Sequence, residues 1–235
     1  MIREAIDKIL SLAGVQTEKI GDQVFTSSDL RRVSEATTET MKVRNLQGIV
    51  DYIDSNFDDK FPVIVHIQSP TQVSVVTGYN RDLQRNLLLE ANALLPDISY
   101  GRYYDVESFN ILLQSCFVPT TARDAMLAIV GNVKDEQVTS YGDNGTSQQV
   151  TAKTGVATFE NVQLPNPVHL KPFRTFVEVP QPESAFVFRM KDGPSAALFE
   201  ADGGEWKLRA IADIKLYLDE RLEDLIKEGK VVIIG

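Results

Sequence analysis

The feature that most constrains this fold is a change of period near residue 133. From there to residue 201, Phe, Val and Thr alternate with polar residues, and Gly, Pro or Asn-Gly stands at each reversal. Side chains of a strand point alternately to opposite faces, so the pattern predicts a succession of short antiparallel strands. They are expected over 137–141, 146–151, 156–164, 168–170, 175–179, 185–191 and 196–200. Asp143-Asn144-Gly145 reads as a tight turn, because Asn-Gly adopts the positive backbone angles that a two-residue hairpin requires. An exposed hairpin at Asp143, Asn144 and Gly145 would be an arm for clasping a second copy, and Asp192-Gly193-Pro194 closes the last hairpin.

Upstream, apolar residues mostly recur at three- and four-residue spacing, the signature of helices that bury one face. Ile2, Ile6, Ile9, Leu10 and Ala13 form one such stripe, and Leu46, Ile49, Val50, Ile53 and Phe57 another. Between them, 23–26 and 30–33 read as a small hairpin about Ser27-Ser28-Asp29. Val63, Val65 and Ile67, turned at Ser69-Pro70 into Val73, Val75 and Val76, read as a hairpin with apolar residues on both faces and hence interior to a sheet. Residues 84–93 read as either a further strand or a helix, since Leu87, Leu88 and Leu89 fit both, and a strand is the preferred reading. Asp105 is an N-cap signal for a helix carrying Phe109, Leu112, Leu113, Cys116 and Phe117, and Thr121 caps the next, which carries Met126, Leu127, Ile129 and Val130. A last helix over 206–227 carries Ile211, Ile214, Leu218, Leu222 and Leu225, and 231–234 adds a strand. Its stripe spans little more than two heptads, which favours packing on a sheet over a coiled coil. The expected fold is α+β: a mixed, largely antiparallel sheet with packing helices, whose strand-rich C-terminal half ends in an amphipathic helix. One domain, 1–235, is expected, helix-richer over 1–132 and hairpin-rich over 133–235.

The chain's 43 % apolar content is ordinary for a protein with a real core. Its net charge of −9 repels nucleic acid and anionic membrane, so a nucleic-acid role would need a local basic stripe. The sequence offers only short basic clusters, Arg31-Arg32 and Arg81 with Arg85. A single cysteine, Cys116, forms no intramolecular disulfide, which fits a reducing, cytoplasmic compartment. The amphipathic N-terminal stripe is not a signal peptide, and no apolar run approaches the roughly 18 residues of a membrane span.

No catalytic set, cofactor motif or metal cluster stands out. His66 and His169 lie in separate strand signals, where a strand-surface role is the plainer reading of each, and Cys116 falls on an apolar helix stripe, where a thiol acts as a small hydrophobe. Lys153-Thr154-Gly155 matches one element of the penicillin-recognising serine enzymes, whose Ser-x-x-Lys nucleophile is missing. Gly142-Asp143-Asn144-Gly145 lacks the alternating oxygens of a calcium loop. Glu200, Asp202 and Glu205 read as helix capping and solvation. One block offers a binding surface: Lys171, Phe173, Arg174 and Phe176 followed by Arg189 and Lys191 place aromatic and basic residues on neighbouring strands, as a stacking platform for single-stranded nucleic acid or a nucleotide does. The competing reading makes the phenylalanines core and the cations a solvated face, and the acidic total favours it.

The run Val168-His169-Leu170-Lys171-Pro172-Phe173-Arg174-Thr175-Phe176, then Pro182-Glu183-Ser184-Ala185-Phe186-Val187-Phe188-Arg189, then a hairpin and a closing helix, resembles the YfdQ-like family of phage and prophage proteins of unknown function. The helix about 46–56 and the aromatic helix 104–117 after Leu95-Pro96-Asp97-Ile98 are similar in order to that family. The resemblance implies a phage-encoded accessory protein made inside the infected or lysogenic cell, and it brings no catalytic residues with it. The resulting expectation is a non-enzymatic protein that self-associates through its strand-rich back half, whose strand edges are natural sites of pairing, into a symmetric homo-oligomer, with a ring, a shell or the binding of a host defence component as its task. Its partners are then itself and a host or phage protein, with no membrane and no cofactor; a single-stranded nucleic-acid or nucleotide binding module is the alternative.

Overall fold

The helical stripes and alternating runs assemble into two larger sheets, each with helices over one face, and two two-stranded hairpins, in a computed structural model that describes residues 36–80, 83–131, 166–191 and 195–235 in full. It also describes positions 4, 5, 8 and 14 and the backbone of 17–20, 23–26, 142–143 and 148–149. Two compact units are present, Met1–Thr37 and Thr38–Gly235, and each is taken by itself.

In the first unit, β1 (Thr17–Ile20) pairs antiparallel with β2 (Gln23–Thr26), Thr17 opposite Thr26 and Ile20 opposite Gln23. The second strand of this hairpin therefore pairs with the residues before it, across Gly21-Asp22. The expected partner at 30–33 and most of the N-terminal stripe lie outside the described residues.

In the second unit, a five-stranded sheet has the order β13-β4-β5-β6-β3, formed by β3 (Met41–Val43), β4 (Val63–Ser69), β5 (Gln72–Thr77), β6 (Leu87–Asn92) and β13 (Val231–Ile234). The pairs among β4, β5 and β6 are antiparallel, while β13 runs parallel to β4 and β3 parallel to β6. The β4–β5 hairpin sits inside the sheet, as its two-sided apolar pattern requires. Val63, Val65, Ile67, Val73, Val75, Leu89, Ala91 and Val231 point to one face. That face is covered by α1 (Gln47–Ser55), through Ile49, Val50 and Ile53, and by α4 (Trp206–Arg221), through Ile214 and Leu218. The expected helix over 206–227 is two: α4 breaks at Leu222, whose side chain turns into the core, and α5 (Glu223–Lys227) follows.

The second sheet, order β10-β11-β12-β7, is wholly antiparallel. It comprises β7 (Tyr104–Asp105), β10 (Val168–Leu170), β11 (Ser184–Lys191) and β12 (Ser195–Glu200). Phe186, Phe188, Met190, Ala196, Leu198, Val168 and Leu170 face α2 (Val106–Cys116) and α3 (Thr121–Gly131), which add Phe109, Leu113, Cys116, Met126 and Val130. Asp105 caps α2 by accepting from the Ser108 amide at 2.9 Å, as its type and position predict. The α3 cap is one residue earlier than expected, because the Thr120 hydroxyl accepts from the Arg123 amide at 3.2 Å. These sheets divide the chain differently from a boundary at 132: the antiparallel sheet is an insertion between β6 and α4. Of the expected Asn-Gly hairpin, the backbone pairing of β8 (Gly142–Asp143) with β9 (Gln148–Gln149) is described, with Asp143 opposite Gln148. Asp143 thus belongs to a strand, and Asn144 and Gly145 lie outside the described residues, as do the strands expected at 137–141 and 156–164.

Residues 175–179, expected as a strand, form none. The side-chain amide of Gln181 takes the place of a neighbouring strand, accepting from the amides of Arg174 (2.9 Å) and Thr175 (3.2 Å) and donating to the carbonyls of Thr175 (3.3 Å) and Phe176 (3.1 Å). With its backbone groups satisfied locally, the segment needs no ladder. It joins the two layers instead. Phe176 and Val179 enter the core of the five-stranded sheet, the Thr175 hydroxyl donates to the Pro70 carbonyl at 2.6 Å, and the Glu178 carboxylate accepts from the amides of Leu46 (2.8 Å) and Gln47 (3.2 Å) at the start of α1. Asn45 accepts from the Gly48 amide at 3.0 Å, and the two amides before that of Gly48 are taken by a residue from the far half of the chain.

Candidate functional site

The six residues of the expected binding surface do not form one surface. Phe176 is core, and Arg174 is only 6 % exposed. Lys171 stands 3.6 Å from Glu183 near the edge strand β10, and the same carboxylate lies 3.6 Å from His169. Phe173 is half-buried; its amide donates to the Cys116 carbonyl at 2.9 Å, which ties it to the end of α2. Arg189 and Lys191 lie on the face of β11 turned away from α2 and α3. The alternation of β11 explains the split: Ser184, Phe186, Phe188 and Met190 are buried, while Val187, Arg189 and Lys191 take the other side.

Arg174 is the centre of the most elaborate polar arrangement among the described residues. Ser184 begins β11 and Glu200 ends β12; both project on the helix-covered face beside Phe186, and Arg174 enters there. Its guanidinium donates to Glu200 at 3.2 Å, to the Pro182 carbonyl at 3.4 Å and to the Ser184 hydroxyl. Asp202 lies 3.9 Å away and accepts from Ser184 and, at 3.1 Å, from the Gly204 amide. The guanidinium carbon lies 3.9 Å from the Trp206 ring centroid, at the first turn of α4, and 5.9 Å from that of Phe186. One cation therefore connects the antiparallel sheet to the helix that covers the other sheet. Burial lowers the pKa of Arg174, against the favourable field of Tyr100, Asp202 and Glu200. Burial pushes Asp202 up, but hydrogen bonds from Ser184 and Gly204 and the charge of Arg174 outweigh it and hold the carboxyl below its usual range. Tyr100, stacked at 5.3 Å on Phe186, is pushed up chiefly by burial.

This arrangement joins layers: the buried cation meets two carboxylates, a carbonyl, a hydroxyl and an aromatic face, and leaves its Nε without a hydrogen-bond partner among the described residues. Sequence reading assigned Glu200 and Asp202 to capping and solvation. Asp202 does accept from Gly204 ahead of α4, while Glu200 pairs with Arg174. Tyr100, Ser184 and Trp206 carry no local signal that they would meet Arg174.

An aromatic and basic cluster does exist on the outer face of the antiparallel sheet, with a different membership. Tyr103 meets Phe199 edge-on at 6.3 Å, and the Lys191 ammonium lies 3.8 Å over the Tyr103 ring. Phe199 pairs with Val187, and Arg189 occupies the next position along that face. His66 is exposed on β4 and His169 on β10, and Cys116 is buried beside the Ser115 hydroxyl at 3.3 Å. Among the described residues, no group of three His, Cys, Asp or Glu side chains is placed to hold a metal ion, and no helix is long and apolar enough to cross a membrane.

Large apolar side chains stand open on regular elements. Leu208 (72 % exposed) and Leu216 (58 %) point outward from α4, two turns apart, and Val232 and Ile234 (each 50 %) stand on β13 at the border of the five-stranded sheet. No protein-family model, no curated protein and no solved structure matches this chain.

Proposed function

We propose that this chain is a non-enzymatic accessory protein of phage or prophage origin that works by associating with copies of itself in the cytoplasm of the infected or lysogenic cell. The single observation that supports self-association is the set of apolar side chains exposed on rigid elements, Leu208 and Leu216 on α4 with Val232 and Ile234 on β13. Apolar side chains grouped on a helix or a border strand are typical of surfaces that another protein covers. The phage origin rests on the family resemblance of 167–220. A ring or shell is the first task in this reading, and the binding of a host defence component the second. Light scattering after size exclusion of nuclease-treated protein tests it. A discrete multiple of 26.2 kDa is expected, and a monomer at micromolar concentration would remove the reading.

The cluster of Tyr103, Phe199, Arg189 and Lys191 favours a second reading, a module for single-stranded nucleic acid or a nucleotide, in which bases stack on the rings and the cations meet phosphate. Binding of a labelled oligonucleotide that weakens steeply between low and physiological salt is the expected outcome of that reading. Salt-independent binding, or none, dismisses it.

A further inference from the structure

The border strand β13 has the chemistry to pair with itself. Resting on the proposed self-association, we infer that two copies of this chain join through β13 in antiparallel register about a two-fold axis, which fuses their five-stranded sheets into one continuous sheet.

The hydrogen-bond parity of the strand sets the register. The Val63 amide donates to the Lys230 carbonyl at 2.9 Å, and Val231 lies opposite Val63, Val232 opposite Ile64 and Ile233 opposite Val65. In a parallel ladder the bonding residues of one strand alternate, so the even-numbered residues of β13 turn their amides and carbonyls to β4. Those of Val231 and Ile233 point away from the sheet, and β13 has no neighbour there among the described residues. A two-fold axis normal to the sheet keeps side chains on their own face, which limits antiparallel self-pairing to registers in which residues of like parity meet. Ile233 opposite Ile233 of the second copy satisfies this, and each donates its free amide to the other's free carbonyl. The same register sets Val232 opposite Ile234 of the second copy, so the half-exposed side chains cover each other. Sliding the pair by one step of like parity would set Ile234 against Lys230 of the second copy and lose that match.

Among the described residues, the other borders of the two larger sheets are poorer candidates for self-pairing. β3 carries Lys42, β10 carries His169 and continues into Pro172, and β7 is two residues long with Asp105 at its end. Border strands are commonly kept apart by charge, proline or brevity. β13, Val-Val-Ile-Ile, has neither charge nor proline. Self-pairing there opposes no like charges, and Lys230 just before the strand is already 2.7 Å from Glu228.

The test compares the full-length chain with a Val232→Lys/Ile234→Lys double variant and with Ile233→Pro. The lysines sit on half-exposed positions, and proline at 233 removes no hydrogen bond to β4, although it also trims the Ile233 side chain that packs against the core. The expected result is a wild-type mass of twice 26.2 kDa, or a multiple of it built from such dimers, that halves in both variants, with the thermal midpoint of the monomer fold retained in the lysine variant and lowered in the proline variant by the lost Ile233 packing. Amide exchange gives an independent readout: Ile233 exchanges slowly in wild type and rapidly in the lysine variant, while Val232 and Ile234 stay protected by β4 in both. An oligomer whose mass is unchanged in both variants, and whose Ile233 exchange is unchanged in the lysine variant, would overturn the β13 pairing and leave self-association standing. A monomeric wild type would overturn both.

Discussion

The two larger sheets of the second unit solve the same problem with different materials. The five-stranded sheet packs on α1 and α4 through Val, Ile, Leu and Ala, and among the described residues the fully buried aromatic of its core, Phe176, arrives from the segment that follows β10. The antiparallel sheet packs on α2 largely through rings, Phe109 lying 5.9 Å from Phe188, Phe117 6.3 Å and Tyr100 5.3 Å from Phe186, while α3 adds Met126 and Val130. The first sheet gathers strands from 41–92 and 231–234, whereas the second is drawn from residues 104–200. β-branched side chains tile a sheet built from distant strands, and their many small contacts tolerate the loss of one. A ring cluster concentrates its packing in a few large side chains and is more vulnerable to losing one. Residues 171–183 bind the two, and Arg174 is the strongest link between them.

The largest expected effect probes the aromatic side of this comparison. Phe186→Ala removes the ring that touches both Tyr100 and Phe117 and should cost about 3–5 kcal/mol of unfolding free energy. Urea denaturation followed by circular dichroism measures it. A loss no larger than that of Val65→Ala in the other core would show that the aromatic core does not concentrate its stability as described.

Arg174→Ala attacks the link. It strands Glu200 and Asp202 without their cation and should cost about 3 kcal/mol, the low end for a broken buried pair because 41 % of the Glu200 side chain already meets water. Trp206 is the only tryptophan and lies against the guanidinium, so its fluorescence reports this junction alone. In the wild type, fluorescence and circular dichroism should give one coincident transition. In the variant, the tryptophan signal should change at lower urea than the rest, and coincident curves with unchanged stability would deny Arg174 its joining role.

The smallest effect concerns the cap lent across the layers. Glu178→Ala leaves the amides of Leu46 and Gln47 without their acceptor and should cost about 1 kcal/mol, with amide exchange in the first turn of α1 accelerated and that in α2 unchanged. Equal exchange in both helices would mean that water replaces the carboxylate without loss.

Much of this architecture was legible locally. The alternation of β4, β5, β11 and β12, the stripes of α1 to α4 and the Asp105 cap all follow from side-chain geometry within a few residues, and the α+β class follows from them. The candidate surface was less legible, because strand alternation says that Arg174 and Phe176 share a side but not that Gln181 dissolves the strand they were placed on. His169, Lys171 and Glu183 meet at a strand border for reasons that only the pairing of β10 with β11 supplies.

By itself, the sequence determined the kinds of element, most of their ends, the apolar faces and an acidic surface averaging against nucleic acid. Tertiary structure alone decided that β13 lies beside β4, that Arg174 is buried between two layers, and that Glu178 caps a helix 131 residues away in the chain. The physical reason is range. Periodicity and capping are set by neighbours along the chain, whereas a strand's partner, a buried charge's counter-ions and an open sheet border depend on which distant segments compete for the same surface.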